Sequence, residues 1–231
     1  EFELSPFEII ICCGLKYFDL RQVELLLLEA GMGGRLDATT AHNLRPFIAI
    51  GNIGIDHCEF LGETIEEIAK EKVSVITKDS HVISCKQNYI VERIINDQVQ
   101  KVGAKIKWVK PLSDEWDLGL KGNFQKQNAS VALGVIKVLN ENGWHIKKKD
   151  IKKGLSTTEW PGRLETCYWK NKEILVDSAH NPSAAKVLAE ERKNWKHQEK
   201  GIYWILGVQK RKNIESIIKE FLQPRDVILI V

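Results

Sequence analysis

Acids and imidazoles follow apolar runs at three places in this chain, where side chains able to bind ions or move protons would be presented. Glu29 comes after Leu25-Leu26-Leu27-Leu28 and ahead of Gly31-Met32-Gly33-Gly34-Arg35-Leu36-Asp37-Ala38-Thr39. Asp56 and His57 come after the apolar stretch 46–53, in Asn52-Ile53-Gly54-Ile55-Asp56-His57. Asp177-Ser178-Ala179-His180-Asn181-Pro182 closes a third apolar stretch, 173–177. In open α/β sheets ligands bind beyond the carboxyl ends of the strands, so Glu29 stands where a metal ligand or general base belongs. The glycines after it allow backbone to approach a ligand closely. The His57 imidazole suits a metal or a phosphate oxygen, and a polar loop ahead of a helix N-terminus, as at 177–182, suits an anion. Each has a plainer alternative: a solvated carboxylate at Glu29, a structural histidine at His57, a helix cap at Asn181.

Such groups need parallel strands and connecting helices to hold them. The unalternating run 23–29 reads as a strand covered on both faces, preceded by a helix from Pro6, capped by Ser5, to Phe18. Further strands are expected at 46–53, 82–85 and 105–109. Thr64 and Glu67 form a capping box for a helix running to about Lys72, and Ile90, Val91, Ile94, Ile95 and Val99 mark another helix. Lys72 takes the next inward position after Ile65, Ile68 and Ala69, so it either snorkels to solvent or faces something that needs it. Gly122-Asn123-Phe124-Gln125-Lys126-Gln127-Asn128-Ala129 opens a helix with an inward stripe of Val131, Ala132, Val135, Ile136 and Leu139. Asn128 falls on the same face, and Gly143 is the expected C-terminal stop. Residues 157–163, punctuated by Pro161 and Gly162, read as a linker. Beyond it strands at 173–177, 202–206 and 227–231 alternate with helices at 182–195 and 214–221, the pattern of a second α/β domain.

The 231 residues allow one large domain or two small ones, and 43% hydrophobic with 28% charged residues is an ordinary globular balance. A net charge of +3, from 34 basic and 31 acidic residues, argues against a nucleic-acid surface. The basic runs Lys147-Lys148-Lys149 and Lys210-Arg211-Lys212 read as solvated helix ends or turns that could also attract a polyanionic substrate. The five cysteines contain no Cys-x-x-Cys pair, which points to free thiols in a reducing compartment rather than to disulfides or zinc. No apolar stretch approaches the ~20 residues of a membrane span, so a cytoplasmic location without membrane contact is expected.

The stretch from Glu29 to Thr39 resembles the Glu-x-Gly-x-Gly-Gly-Arg-x-Asp-Ala-Thr signature of the dihydrofolate synthase and folylpolyglutamate synthase family, a branch of the ATP-dependent Mur-type amide ligases. Asn52-Ile53-Gly54-Ile55-Asp56-His57, with Phe60-Leu61-Gly62 and the helix from Thr64 to Lys72, resembles a second family signature. The segments 122–129, Trp160-Pro161-Gly162-Arg163 and 177–182 resemble three more. The resemblance implies an α/β fold class: a partial P-loop-type, mostly parallel sheet domain (the Mur ligase central domain) over 1–156, then an incomplete Rossmann-like α/β domain over 164–231. It implies a ligase that adds L-glutamate to dihydropteroate, to folates, or to both through an acyl phosphate, with ATP and Mg2+ as cofactors. Glu29 would bind the magnesium that bridges the ATP phosphates, and His57 with a carbamylated Lys72 would bind a second. Asn128, Arg163 and Asp177 would hold ATP, and His180 would lie toward glutamate. Lys72, His57 and His180 therefore carry the catalytic expectation. Phe124 stands in place of a family histidine, Cys58 in place of threonine, and Val73-Ser74 in place of Ala-Gly.

None of the sixteen glycines begins a Gly-x-x-x-x-Gly-Lys-Ser phosphate loop. The chain is accordingly expected to be the central part of a family protein, catalytically dead or very weak alone and monomeric at full length. Two other readings stay open: a Mur-type ligase for another amino acid, and a non-catalytic binding module on the same fold.

Overall fold

The computed structural model describes residues 3–42, 44–196, 198–209 and 212–231; Lys210 and Arg211 of the second basic run lie outside them. Helix α1 (Pro6–Arg21) starts as its sequence dictates: Ser5 and Glu8 satisfy each other's backbone amides in a capping box, and Gln22 ends the helix in the left-handed conformation. The next segment departs from expectation. Residues 23–29 are not a strand, and Leu27 is 92% exposed. A strand exists through a neighbour's backbone hydrogen bonds, and an apolar run that gains no such neighbour stays irregular.

Strands β1 (Phe47–Ile50), β2 (His81–Cys85) and β3 (Lys105–Val109) form a sheet in the order β1-β2-β3. The His81 amide donates to the Pro46 carbonyl and the Lys105 amide to the Ser80 carbonyl, each at 2.8 Å, so the strands begin level and run parallel. Helices α2 (Cys58–Leu61), α3 (Ile65–Val73) and α4 (Tyr89–Val102) provide the connections. The Thr64/Glu67 capping box is present, and α3 packs on α4. Val91, Ile94, Ile95 and Val99 are the buried stripe of α4, and burying each contributes roughly 1.5–3 kcal/mol.

By internal contacts the chain divides into a first unit (residues up to Ile48, His57–Val82 and Gln87–Ile106) and a second (Ala49–Asp56, Ile83–Lys86 and Lys107–Val231). In the second, α5 (Phe124–Glu141) buries Ser130, Val131, Leu133, Gly134, Val138 and Leu139. This corrects the expected stripe: Ala132 and Asn128 are exposed. The helix turns its small residues to the sheet. A Cβ on Gly134 would lie 2.6 Å from Ile83, and Ser130 Oγ sits 3.0 Å from Cys85 Sγ. Helix α6 (Lys148–Thr157) occupies the basic stretch that precedes 157–163.

An unanticipated hairpin follows, in which β4 (Glu165–Trp169) pairs antiparallel with β5 (Lys172–Val176). Lys170 and Asn171 form its turn at φ 47° and 61°, the two left-handed residues of a tight hairpin loop. Helix α7 (Pro182–Glu191) is shorter than the expected 182–195 because its last turn tightens to a 3-10 helix at Arg192–Asn194. Strand β6 (Tyr203–Leu206) pairs in parallel with β7 (Val227–Ile230), and α8 (Ile214–Phe221) crosses between them. Ala185, Ile217 and Phe221 are the centre of this core. Beside it Arg192 and Asp226, with side chains 2% and 0% exposed, form a bidentate pair. Asp226 also accepts from the Ile202 and Gln223 amides and the Trp204 indole, and these bonds, the Arg192 bond foremost, hold its carboxyl well below the usual range.

Candidate functional site

The first unit carries Glu29, His57 and Lys72. Between them in sequence lies the glycine turn, which Asp37 closes on itself: its carboxylate accepts from the Met32 amide at 2.8 Å and from the Thr39 amide at 3.0 Å. Thr40 Oγ1 donates to the Gly34 and Asp37 carbonyls. Burial pushes the Asp37 carboxyl up, but the bonds from Thr39, Met32 and Gly31 outweigh it, and the group sits below its ordinary pKa.

The glycines let this turn lie flush against its surroundings. Gly33, at φ 68°, leaves no room for a Cβ beside Leu61 of α2, the helix that His57 starts. A Cβ on Gly34 would meet Val75 at 2.6 Å and the carbonyls of Glu71 and Lys72 at 2.9 and 3.0 Å. The turn that follows Glu29 is thus wedged against the elements that carry His57 and Lys72. His57 holds a left-handed φ of 53° at the start of α2 and is half-buried, as is Lys72, whereas Glu29 is exposed. Among the described residues no three His, Cys, Asp or Glu side chains group as they would around a metal. Glu29 brings the carboxylate oxygen that magnesium accepts beside waters and phosphate oxygens, and His57 brings an imidazole nitrogen. An ammonium at Lys72 is no donor unless modified.

The second unit carries the remaining candidates. The backbones around Arg163 and Asp177 are brought together: Asp177 accepts from the Leu164 amide at 3.0 Å and the Ala179 amide at 2.8 Å, and the Ser178 amide donates to the Gly162 carbonyl. The Arg163 side chain is exposed. His180 Nδ1 donates to the Ser178 carbonyl at 2.9 Å, fixing the ring, and its Nε2 lies 3.4 Å from Asp56. Asn181 caps α7 by accepting from the Ala184 amide, as its sequence position suggests. Asn128 donates to the buried Gln125. A cleft of about 1470 Å³ in this unit touches Asp177 but is lined mainly by apolar groups such as Trp116, Leu120, Ile174, Trp204 and Phe221.

Sequence reasoning missed two buried-side partners. Glu191 accepts from the Asn123 amide at 2.6 Å, tying the start of α5 to the end of α7. Lys212, read as part of a solvated run, is only 17% exposed and pairs with Asp56 at 2.6 Å. The place of Asp56 beside His57 was the one signal available for this pair.

The family model for the dihydrofolate synthetase C-terminal domain matches residues 163–231. The whole chain is 30% identical to dihydrofolate synthetase of Saccharomyces cerevisiae and covers 60% of it. Over 93% of its length it is 28% identical to the dihydrofolate synthase/folylpolyglutamate synthase of Bacillus subtilis, covering 55% of that protein. The structure of Mycobacterium tuberculosis folylpolyglutamate synthase complexed with ADP and AMPPCP matches it with a TM-score of 0.87 at 25% identity, over 98% of this chain and 56% of that one. The chain therefore spans a little over half the length of these relatives. With its glycine turn, His57 and the stapled segment 162–181 all inside these matches, the chain is similar over its whole length to members of the dihydrofolate synthase/folylpolyglutamate synthase family.

Proposed function

We propose that this chain is the central part of an ATP- and Mg2+-dependent ligase that joins L-glutamate to dihydropteroate, to folates, or to both. The observation that carries the reading is the packing of the Gly33-Gly34 turn on α2 and α3, which gathers the Glu29, His57 and Lys72 segments around one backbone surface. The relatives named above are a dihydrofolate synthetase, a dihydrofolate synthase/folylpolyglutamate synthase and a folylpolyglutamate synthase seen in complex with ADP and AMPPCP.

Amide formation from a carboxylate needs the oxygen converted to a leaving group, which phosphorylation by ATP achieves, and the transferring phosphoryl group then needs positive charge around it. Magnesium supplies that charge when bound. Glu29 and His57 are its proposed protein ligands, with a carbamylated Lys72 as a further carboxylate. Asn128, Arg163 and Asp177 are proposed to hold the nucleotide, Arg163 through the planar fork that suits phosphate. The Asp177 carboxylate, engaged by two backbone amides, retains lone pairs for a ribose hydroxyl. His180 is proposed to face the amino acid. Residues 157–163 are proposed as the hinge between an ATP-binding domain, 1–156, and a glutamate-ligase domain, 164–231.

The test is ADP release by the full-length protein with dihydropteroate, then with a reduced folate, each with and without glutamate and Mg2+. Release that requires pterin, glutamate and metal, and that falls at least a hundredfold in Glu29→Ala or His57→Ala, supports the reading. A full-length protein that neither binds ATP nor turns over either acceptor overturns it.

A further inference from the structure

We propose that Asp56 is a positioning residue that clasps the loop after β1 to the loops that start α7 and α8. Its Oδ1 accepts from Lys212 Nζ at 2.6 Å, its Oδ2 accepts from Asn181 Nδ2 at 2.9 Å, and His180 Nε2 stands 3.4 Å from the same oxygen. These partners sit 125 and 156 residues away for Asn181 and Lys212, yet all converge on one carboxylate. Asn181 is the cap of α7, and Lys212 immediately precedes Asn213, the cap of α8. The two helix starts are therefore fastened to the segment that leads directly into His57.

The backbone agrees with the side chains. A Cβ on Gly54 would lie 2.3 Å from Ser183 Oγ, so the same loop presses onto the first turn of α7, and only a glycine allows that approach. An ion pair with both members less than one-fifth exposed costs desolvation that an apolar contact would not. What the charged pair adds is a single register, because a carboxylate accepts its amide and ammonium donors in only a few directions. Asp56 need not touch substrate. It sets where His180 points by holding the neighbouring Asn181 and by standing 3.4 Å from the ring's Nε2.

This inference rests on the ligase reading for its kinetic consequence but not for its structural one. Hydrogen exchange and steady-state kinetics would be measured on full-length protein carrying Asp56→Asn, Lys212→Met and both together. A working clasp gives at least tenfold faster amide exchange over 178–184 in each single variant, no further increase in the double, and unchanged exchange in α4. It also gives at least a tenfold loss in kcat/KM for the amino-acid substrate, with KM for ATP within twofold of wild type. Asp56→Glu should recover part of that loss. Additive effects, unchanged exchange over 178–184, or exchange that rises throughout the chain would each overturn the clasp. If wild-type protein shows no turnover, the ligase reading fails, and the exchange data still decide the clasp.

Discussion

Two buried aspartates, one in each unit, close turns in this molecule by different electrostatics. Asp226 meets a full counter-charge, the Arg192 guanidinium, together with two amides and an indole. Among the described residues Asp37 meets neutral donors, the Thr39 hydroxyl and the amides around the glycine turn. Both carboxyls are held below their ordinary pKa. The consequences of losing them differ. Removing the Asp226 charge strands a buried cation, whereas removing that of Asp37 leaves donors that water or an amide oxygen can partly satisfy.

The largest effect is therefore expected at the ion pair. Asp226→Asn should cost about 3–5 kcal/mol in chemical denaturation, and adding Arg192→Met to it should regain part of that loss, because the stranded cation is gone while an amide oxygen still accepts from the Ile202 and Gln223 amides. A double variant no more stable than Asp226→Asn would break the comparison, since the cost would then not come from an unpaired charge. Next comes the packing of the glycine turn. Gly34→Ala should destabilise by about 1–3 kcal/mol, because the new methyl meets Val75 and two backbone carbonyls that have nowhere to go. If Gly34→Ala unfolds at the wild-type denaturant concentration, the turn is not wedged as described.

Smaller still is Asp37→Asn, at about 1 kcal/mol near neutral pH. Its pH dependence sharpens the contrast. A carboxyl with a lowered folded pKa contributes stability that is fully present above its unfolded value near 4 and is lost as pH falls through the folded pKa. The wild-type midpoint should thus decline below about pH 4, with a shallower decline in Asp37→Asn; identical slopes would mean that the turn does not depend on the charge. The Asp226 contribution has the same sign and should persist to lower pH, because the Arg192 partner depresses its carboxyl further. The smallest effect belongs to Arg35→Ala. Its pair with Glu71 is 60% exposed on the arginine side, so the loss should be under about 1 kcal/mol and shrink in high salt.

Much of this fold is legible locally. Thr64 and Glu67 announce α3, and the bounds of α8 coincide with the expected 214–221 because Asn213 caps it and the apolar spacing is regular. The misreadings have physical causes. Residues 23–29 were apolar enough for a strand, but pairing is a property of two segments, not of one. The buried face of α5 was misphased because its closest approach to the sheet is made by Ser130 and Gly134, and hydrophobicity follows bulk rather than proximity. The β4–β5 hairpin went unseen because its turn puts Lys170 and Asn171, not glycine, at positive φ.

The candidate site divides the same way. The caps at Thr64 and Asn181 could be picked out from residue type and spacing alone, because those interactions join residues only a few positions apart, whereas Glu29, His57, Lys72 and the 177–182 segment stood out through the family motifs that surround them. The wedging of Gly33 and Gly34 against α2 and α3, the burial of Arg192 with Asp226, and the convergence of Asn181 and Lys212 on Asp56 were decided by tertiary structure. Each joins segments tens to more than a hundred residues apart, and no local pattern specifies which distant donor a carboxylate meets until the chain has folded.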